Sequence, residues 1–164
     1  MNRPVLVLLL SLLLVGTVAS AAQELPKTST LPIEVTAQQL EADQQQRQAI
    51  FSGEVVAKQG DITLYSDKLI VYSLPEEDQV DRLEAFGHVR VVQIDRTATA
   101  DRAIYRQFEE TLVLYGNAEV HQGKNRVAGD EIIVYLRENR SLVKSGENGG
   151  RVKAVLFPKQ QESK

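Results

Sequence analysis

One pattern recurs along most of this chain and limits what it can fold into. Asp67-Lys68-Leu69, Asp101-Arg102-Ala103 and Asp130-Glu131-Ile132 open three similar segments, and Gln38-Gln39-Leu40 opens a fourth, earlier one. Each opening is followed by a glycine that starts a second run: Gly53, Gly87, Gly116 and, less closely, Gly146, at spacings of 34, 29 and 30 residues. After the glycine the copies agree position by position. Val55, Val89 and Ala118 stand two residues on, Ala57, Val91 and Val120 four on, and Gln59, Gln93 and Gln122 six on. The positions between them are mostly polar, among them Glu54, His88, Arg90 and Asn117. Apolar residues at every second position mark strands with one buried face. The opening halves alternate likewise, through Leu69 and Val71, Ala103 and Tyr105, Ile132 and Val134. No long stretch keeps a helical period. The fold class is therefore all-β, a set of antiparallel hairpin units repeated about every 30 residues.

Smaller signals set the boundaries of these units. Gly60 and Gly123 fall where a hairpin must turn. Residues 73–81, with Pro75 and the acids Glu76, Glu77 and Asp78, lengthen the second copy as an inserted loop. Pro32, Pro75 and Pro158 avoid the central ladders, as proline's missing donor requires. Nothing marks a closing partner for a first strand over 33–36 or a last over 152–157, so both are candidate docking edges, carried by Ile33 and Val35 at one end and Val152, Val155 and Phe157 at the other. The three recurring aspartates are read as turn caps through Asx-type bonds.

The N-terminus has a different character. Arg3 precedes an apolar run over 5–18, and Ala19-Ser20-Ala21 offers small residues at the positions a signal peptidase reads. This is the layout of a secretory signal cleaved after Ala21 or Ala22; an uncleaved anchor is the competing reading, though the run is short of the roughly 20 residues that span a bilayer. The expected organisation is a signal peptide over 1–21, a linker over 22–31, one β domain over 32–158 and a tail over 159–164. Without its first 21 residues the 164-residue chain keeps 143, with 18 basic residues (Arg3 being lost from 19) against 22 acidic, a net charge of −4. Such a domain is a poor partner for nucleic acid. It has no cysteine, hence no disulfide framework.

An enzyme would need a site, and none can be assembled from sequence. His88 and His121 have the parity of the polar face and are read as exposed. Ser52 and Ser66 lack a nucleophile's context, there is no Gly-rich phosphate loop, and Asn139-Arg140-Ser141 fits a glycosylation sequon by chance. No catalytic residue, metal ligand or cofactor is expected.

Several stretches resemble one family. Pro32-Ile33-Glu34-Val35 followed by Phe51-Ser52-Gly53-Glu54-Val55, then Ser66-Asp67-Lys68-Leu69, Leu112-Val113-Leu114-Tyr115-Gly116-Asn117-Ala118 and Arg151-Val152-Lys153-Ala154-Val155-Leu156-Phe157-Pro158 are similar, in that order, to the LptA/OstA-like domains. The likeness covers about 31–159; the acidic insertion and the short tail depart from the pattern. The resemblance implies a twisted, open-ended β-jelly roll in the periplasm. Its apolar groove would hold the lipid A acyl chains of lipopolysaccharide and pass them from an LptC-type inner-membrane partner to an LptD-type outer-membrane partner, with head-to-tail self-association through edge strands. Apolar inward residues are first of all a core, which alone accounts for Phe51, Leu69, Val71, Leu114 and Val134. The resemblance is what assigns these to a lipid groove, together with Ile33, Val35, Val55, Val91, Tyr105 and Val120. Two other readings share the fold: a structural module that polymerises through its edges without lipid, and a membrane-anchored LptC-type relative.

Overall fold

The computed structural model describes residues 31–75, 79–146 and 150–158. The signal peptide, most of the linker, the C-terminal tail and the acidic centre of the insertion lie outside the described residues. Ten strands form one antiparallel sheet: β1 (Glu34–Thr36), β2 (Gln39–Asp43), β3 (Gln48–Gln59), β4 (Ile62–Ser73), β5 (Val80–Gln93), β6 (Arg96–Arg106), β7 (Thr111–Gln122), β8 (Asn125–Tyr135), β9 (Arg140–Lys144) and β10 (Lys153–Val155). Among the described residues there is no helix. Strands β3 to β8 pair in chain order as a meander. At one end β1 and β2 both pair β3, and at the other β9 and β10 both pair β8. The first and last strands do not pair with each other, so the sheet stays open.

The repeated glycines decide where the long strands bend. Register shifts fall between Ser52 and Val55 in β3, Phe86 and Val89 in β5, and Tyr115 and Ala118 in β7. In each, the glycine and its successor take positive φ: Gly53 and Glu54 at 81° and 46°, Gly87 and His88 at 75° and 46°, Gly116 and Asn117 at 72° and 47°. Two residues face one on the following strand, which is a β-bulge, and the one they face is Asp67, Asp101 or Asp130. The bulges fall at one level across the sheet and bend every long strand there.

The aspartates are not turn caps. They reach across to the next strand rather than along their own: Asp67 accepts from His88 Nδ1 at 2.7 Å, Asp101 accepts from Asn117 Nδ2 at 2.9 Å, and Asp130 accepts from the backbone N–H of Gly146. In the first unit the polarity is reversed, Gln38 Nε2 donating to Glu54 Oε2 at 2.9 Å. Gly146 lacks the positive φ of the other three, in keeping with its weaker match.

One apolar cluster joins the two halves of the bent sheet. Leu69, Ala85, Ala103, Leu114 and Ile132 enter it from one side of the bulge line, and Val55, Ala57, Val89, Ala100 and Ala118 from the other. The inner faces of both halves therefore share one core, and the sheet is folded over it as the open-ended jelly roll expected from the repeats.

Candidate functional site

The inner face is buried unevenly. Beside the bulge line its rows are sealed: Leu114 is 0% exposed, and Val55, Leu69, Ala85, Val89, Ala118 and Ile132 are 1% exposed. Two residues further along each strand, still on the inner face, the register-linked row Val71–Leu83–Tyr105–Leu112–Val134 is only half-buried. So is the row Leu64–Val91–Ala98–Val120 on the other half. Burial falls away from the bulges toward the hairpin turns on both sides. The inner face is thus best covered along the bulge line and less covered toward the turns.

The residues expected to line a groove divide along this gradient. Val55, Leu69 and Leu114 are sealed beside the bulge line. Val35, Phe51, Val71, Val91, Val120 and Val134 are half-buried and packed against the core, and Tyr105 shares a row with Val71 and Val134. Ile33 is half-buried just ahead of β1. Leu64, Leu83, Leu112 and Val143 belong with these and were not singled out from the sequence, although their two-residue spacing from Ser66, Ala85 and Leu114 puts the first three on the same face. Burial, and then the negative charge of Glu110, push the Tyr105 phenol above its ordinary range.

The outer face holds a feature that alternation did not suggest. Glu84, Ile104 and Val113 point away from the core cluster yet are buried. Arg82 Nε and Arg102 Nη2 hold the Glu84 carboxylate at 2.8 and 2.7 Å. Four cation–π contacts join residues directly opposite each other on paired strands: Arg82 on Tyr72 and Arg90 on Tyr65 at 4.1 Å, Arg102 on Phe86 at 5.0 Å, and Arg140 on Tyr135 at 4.0 Å. Long cationic side chains lying over rings cover the apolar residues between them. Of the two histidines, His88 is exposed as expected, whereas His121 is half-buried and paired with Glu119, which Arg126 also holds. Chiefly because of Arg126, the Glu119 carboxyl is held below its usual range.

The sheet ends in four short strands, and each pairs on one side alone. Val35 is half-buried in β1, and its partner in register is Ala57. Val155 lies in β10; Val152 and Phe157 fall just outside that strand, which covers only three of the six residues expected. All three are exposed, as is Leu156. Phe157 donates its N–H to Asn125 Oδ1 at 2.9 Å.

The fold is an open antiparallel sheet bent over one apolar core, with short terminal strands that each pair on one side alone. Residues 34–140 match the family model described as LptA/(LptD N-terminal domain) LPS transport protein, and the chain belongs to that family. It is 28% identical over 139 residues to the lipopolysaccharide export system protein LptA of Escherichia coli K12, covering 81% of this chain and 75% of that protein. It is 27% identical over 149 residues to the protein of the same name from Haemophilus influenzae, covering 87% and 86%. Among solved structures, LptH of Pseudomonas aeruginosa, the LptA homologous periplasmic component of a lipopolysaccharide transport device, superposes with a TM-score of 0.72. That match covers 81% of this chain and all of LptH at 20% identity, and it shows the shared fold.

Proposed function

We propose that this protein is an exported, periplasmic lipopolysaccharide carrier, without enzymatic activity, that holds lipid A acyl chains in an apolar wedge between the two halves of its folded sheet. The burial gradient of the inner face carries this reading. A sealed sandwich would bury the row Val71–Leu83–Tyr105–Leu112–Val134 as fully as Leu69 and Leu114, yet it stays half-open and almost wholly apolar. Exposed apolar rows cost free energy in water, and covering them with methylenes returns about 0.8 kcal/mol per group. An acyl chain of about ten methylenes would gain roughly 8 kcal/mol by this measure.

The four short edge strands support the second half of the proposal. Extended edges with free N–H and C=O groups accept another strand. Docking at the β1–β2 end and at the β9–β10 end would align the wedge with that of an LptC-type partner on one side and an LptD-type partner, or another copy, on the other. The family itself groups LptA with the N-terminal domain of LptD, which makes an LptD-type domain a natural occupant of one end, and the apolar run over 5–18 would serve as the export signal. Mass spectrometry of the protein purified after export tests the carrier reading. Co-purifying lipopolysaccharide is expected; a protein free of lipid, and unable to take it up, would favour a structural module.

A further inference from the structure

On β5, β6 and β7 the apolar rows of the inner face stop one register pair short of the tight turns, whereas on β4 the row runs on to Ile62. The last pairs of the β3–β4, β5–β6 and β7–β8 hairpins are Gln59 with Ile62, Gln93 with Arg96 and Gln122 with Asn125. Arg96 also pairs with Gln122 across β6 and β7. Side chains two residues apart on a strand share a face, so Gln93, Arg96 and Gln122 lie on the side of Val91, Ala98 and Val120 behind them. They stand at the margin where the wedge meets water.

Two of the three are held in place. Gln93 Nε2 donates to Asp61 Oδ2 at 3.2 Å, and Gln122 Nε2 to Asp95 Oδ2 at 3.4 Å. Arg96, between them, is exposed and forms no ion pair or hydrogen bond with a side chain among the described residues. The same turn differs from its neighbours in a second way. Gly60 and Gly123 take φ of 59° and 57° in the flanking tight turns, whereas here Ile94 takes 51° and is 84% exposed. A β-branched residue rarely adopts that conformation. An exposed apolar side chain two residues from an unpaired guanidinium, at the edge of an apolar space, has the composition of a lipid–water boundary.

An amphipathic ligand whose chains enter the wedge leaves its head at this margin. We propose that Arg96, flanked by Gln93 and Gln122, binds a phosphate on the sugar head of that ligand, with Ile94 against the first carbons of a chain. The proposal rests on the lipid-carrier reading and adds that the head is read by charge at the tight-turn margin. A guanidinium presents paired N–H donors that match two phosphate oxygens, and the neighbouring amides can serve sugar hydroxyls.

The test titrates the exported full-length protein with bis-phosphorylated lipid A and with the same lipid A after removal of its phosphates, for wild type, Arg96→Gln and Arg96→Lys. Wild type should bind the phosphorylated form about tenfold more tightly, the scale of a charge-assisted bond. Arg96→Gln should lose that preference and bind both forms as wild type binds the dephosphorylated one, with its melting temperature unchanged; Arg96→Lys should fall between. An Arg96→Gln variant that keeps the preference, a wild type with none, or equal weakening of both forms overturns the proposal. A wild type that binds neither form sinks the carrier reading itself.

Discussion

Asp67 on β4 stands over Gly87 on β5, its carboxylate filling the space where any other residue at 87 would carry a Cβ. The same carboxylate bonds His88, the second residue of the bulge. Gly87 thus lacks a side chain for two reasons, its φ of 75° and the aspartate above it. Asp101 stands over Gly116, and Gln38 over Gly53, in the same way.

Gly87→Ala should therefore destabilise the fold by about 1–3 kcal/mol, through φ strain and overlap together. Adding Asp67→Ala should restore part of the loss by removing the overlap and leave the φ strain. Chemical denaturation of the single and double variants measures both. Strict additivity would mean that the aspartate and the glycine do not act on each other.

That the recurring glycines sit in bulges emerges only from the register, but their equivalence was legible because the pattern around them repeats, and the inner face because alternation exposes parity directly. The role of the aspartates was not, since a short polar side chain before a strand serves equally in a turn, and only register shows that Asp67 meets the next strand. Alternation also says which residues share a face but not how deep each lies. Val55 and Val71 look alike in sequence, yet one is sealed beside the bulge line and the other half-buried. The outer-face burial of Ile104 and Val113 follows from arginines lying on rings on neighbouring strands, a pairing that no single strand's pattern contains.

Glu84 offers a test of that outer layer. Glu84 is 8% exposed, and its carboxylate is held by two arginines. Glu84→Ala would leave Arg82 and Arg102 without their shared partner, and should cost about 2–4 kcal/mol in denaturation experiments. A loss below about 0.5 kcal/mol, the scale of an ordinary surface change, would show that the cluster is solvated.

The ionisation of Tyr105 gives a pH signature. In the folded protein its phenol is pushed above its ordinary value of about 10 by burial and then by Glu110. The folded protein then holds that proton more tightly than the unfolded chain does, so the associated stability is complete below about pH 10 and is lost as pH rises through the folded value. Melting temperature above about pH 10 should fall less steeply for Tyr105→Phe than for wild type. Identical slopes would mean that the phenol is as hydrated folded as unfolded.

At the C-terminal edge, successive residues of β10 point their N–H groups alternately toward β8 and outward. One of Ala154→Pro and Val155→Pro thus loses a bond within the sheet, and the other loses only an outward donor. The outward one should abolish strand addition by a partner or a second copy while leaving the melting temperature unchanged. Light scattering and pull-down with the partner domain read the first effect, calorimetry the second. Wild-type association by both variants would rule out β10 as a docking edge.

Whether the half-buried outer rows of the inner face hold lipid can be read by photo-crosslinking in cells. A photo-reactive residue at position 105 sits in the row Val71–Leu83–Tyr105–Leu112–Val134, and one at the exposed position 88 lies on the bulge ridge outside the core. Lipopolysaccharide adducts should form from position 105 and not from 88. Adducts from 88 alone, or none from 105 while lipopolysaccharide is in transit, would contradict the account.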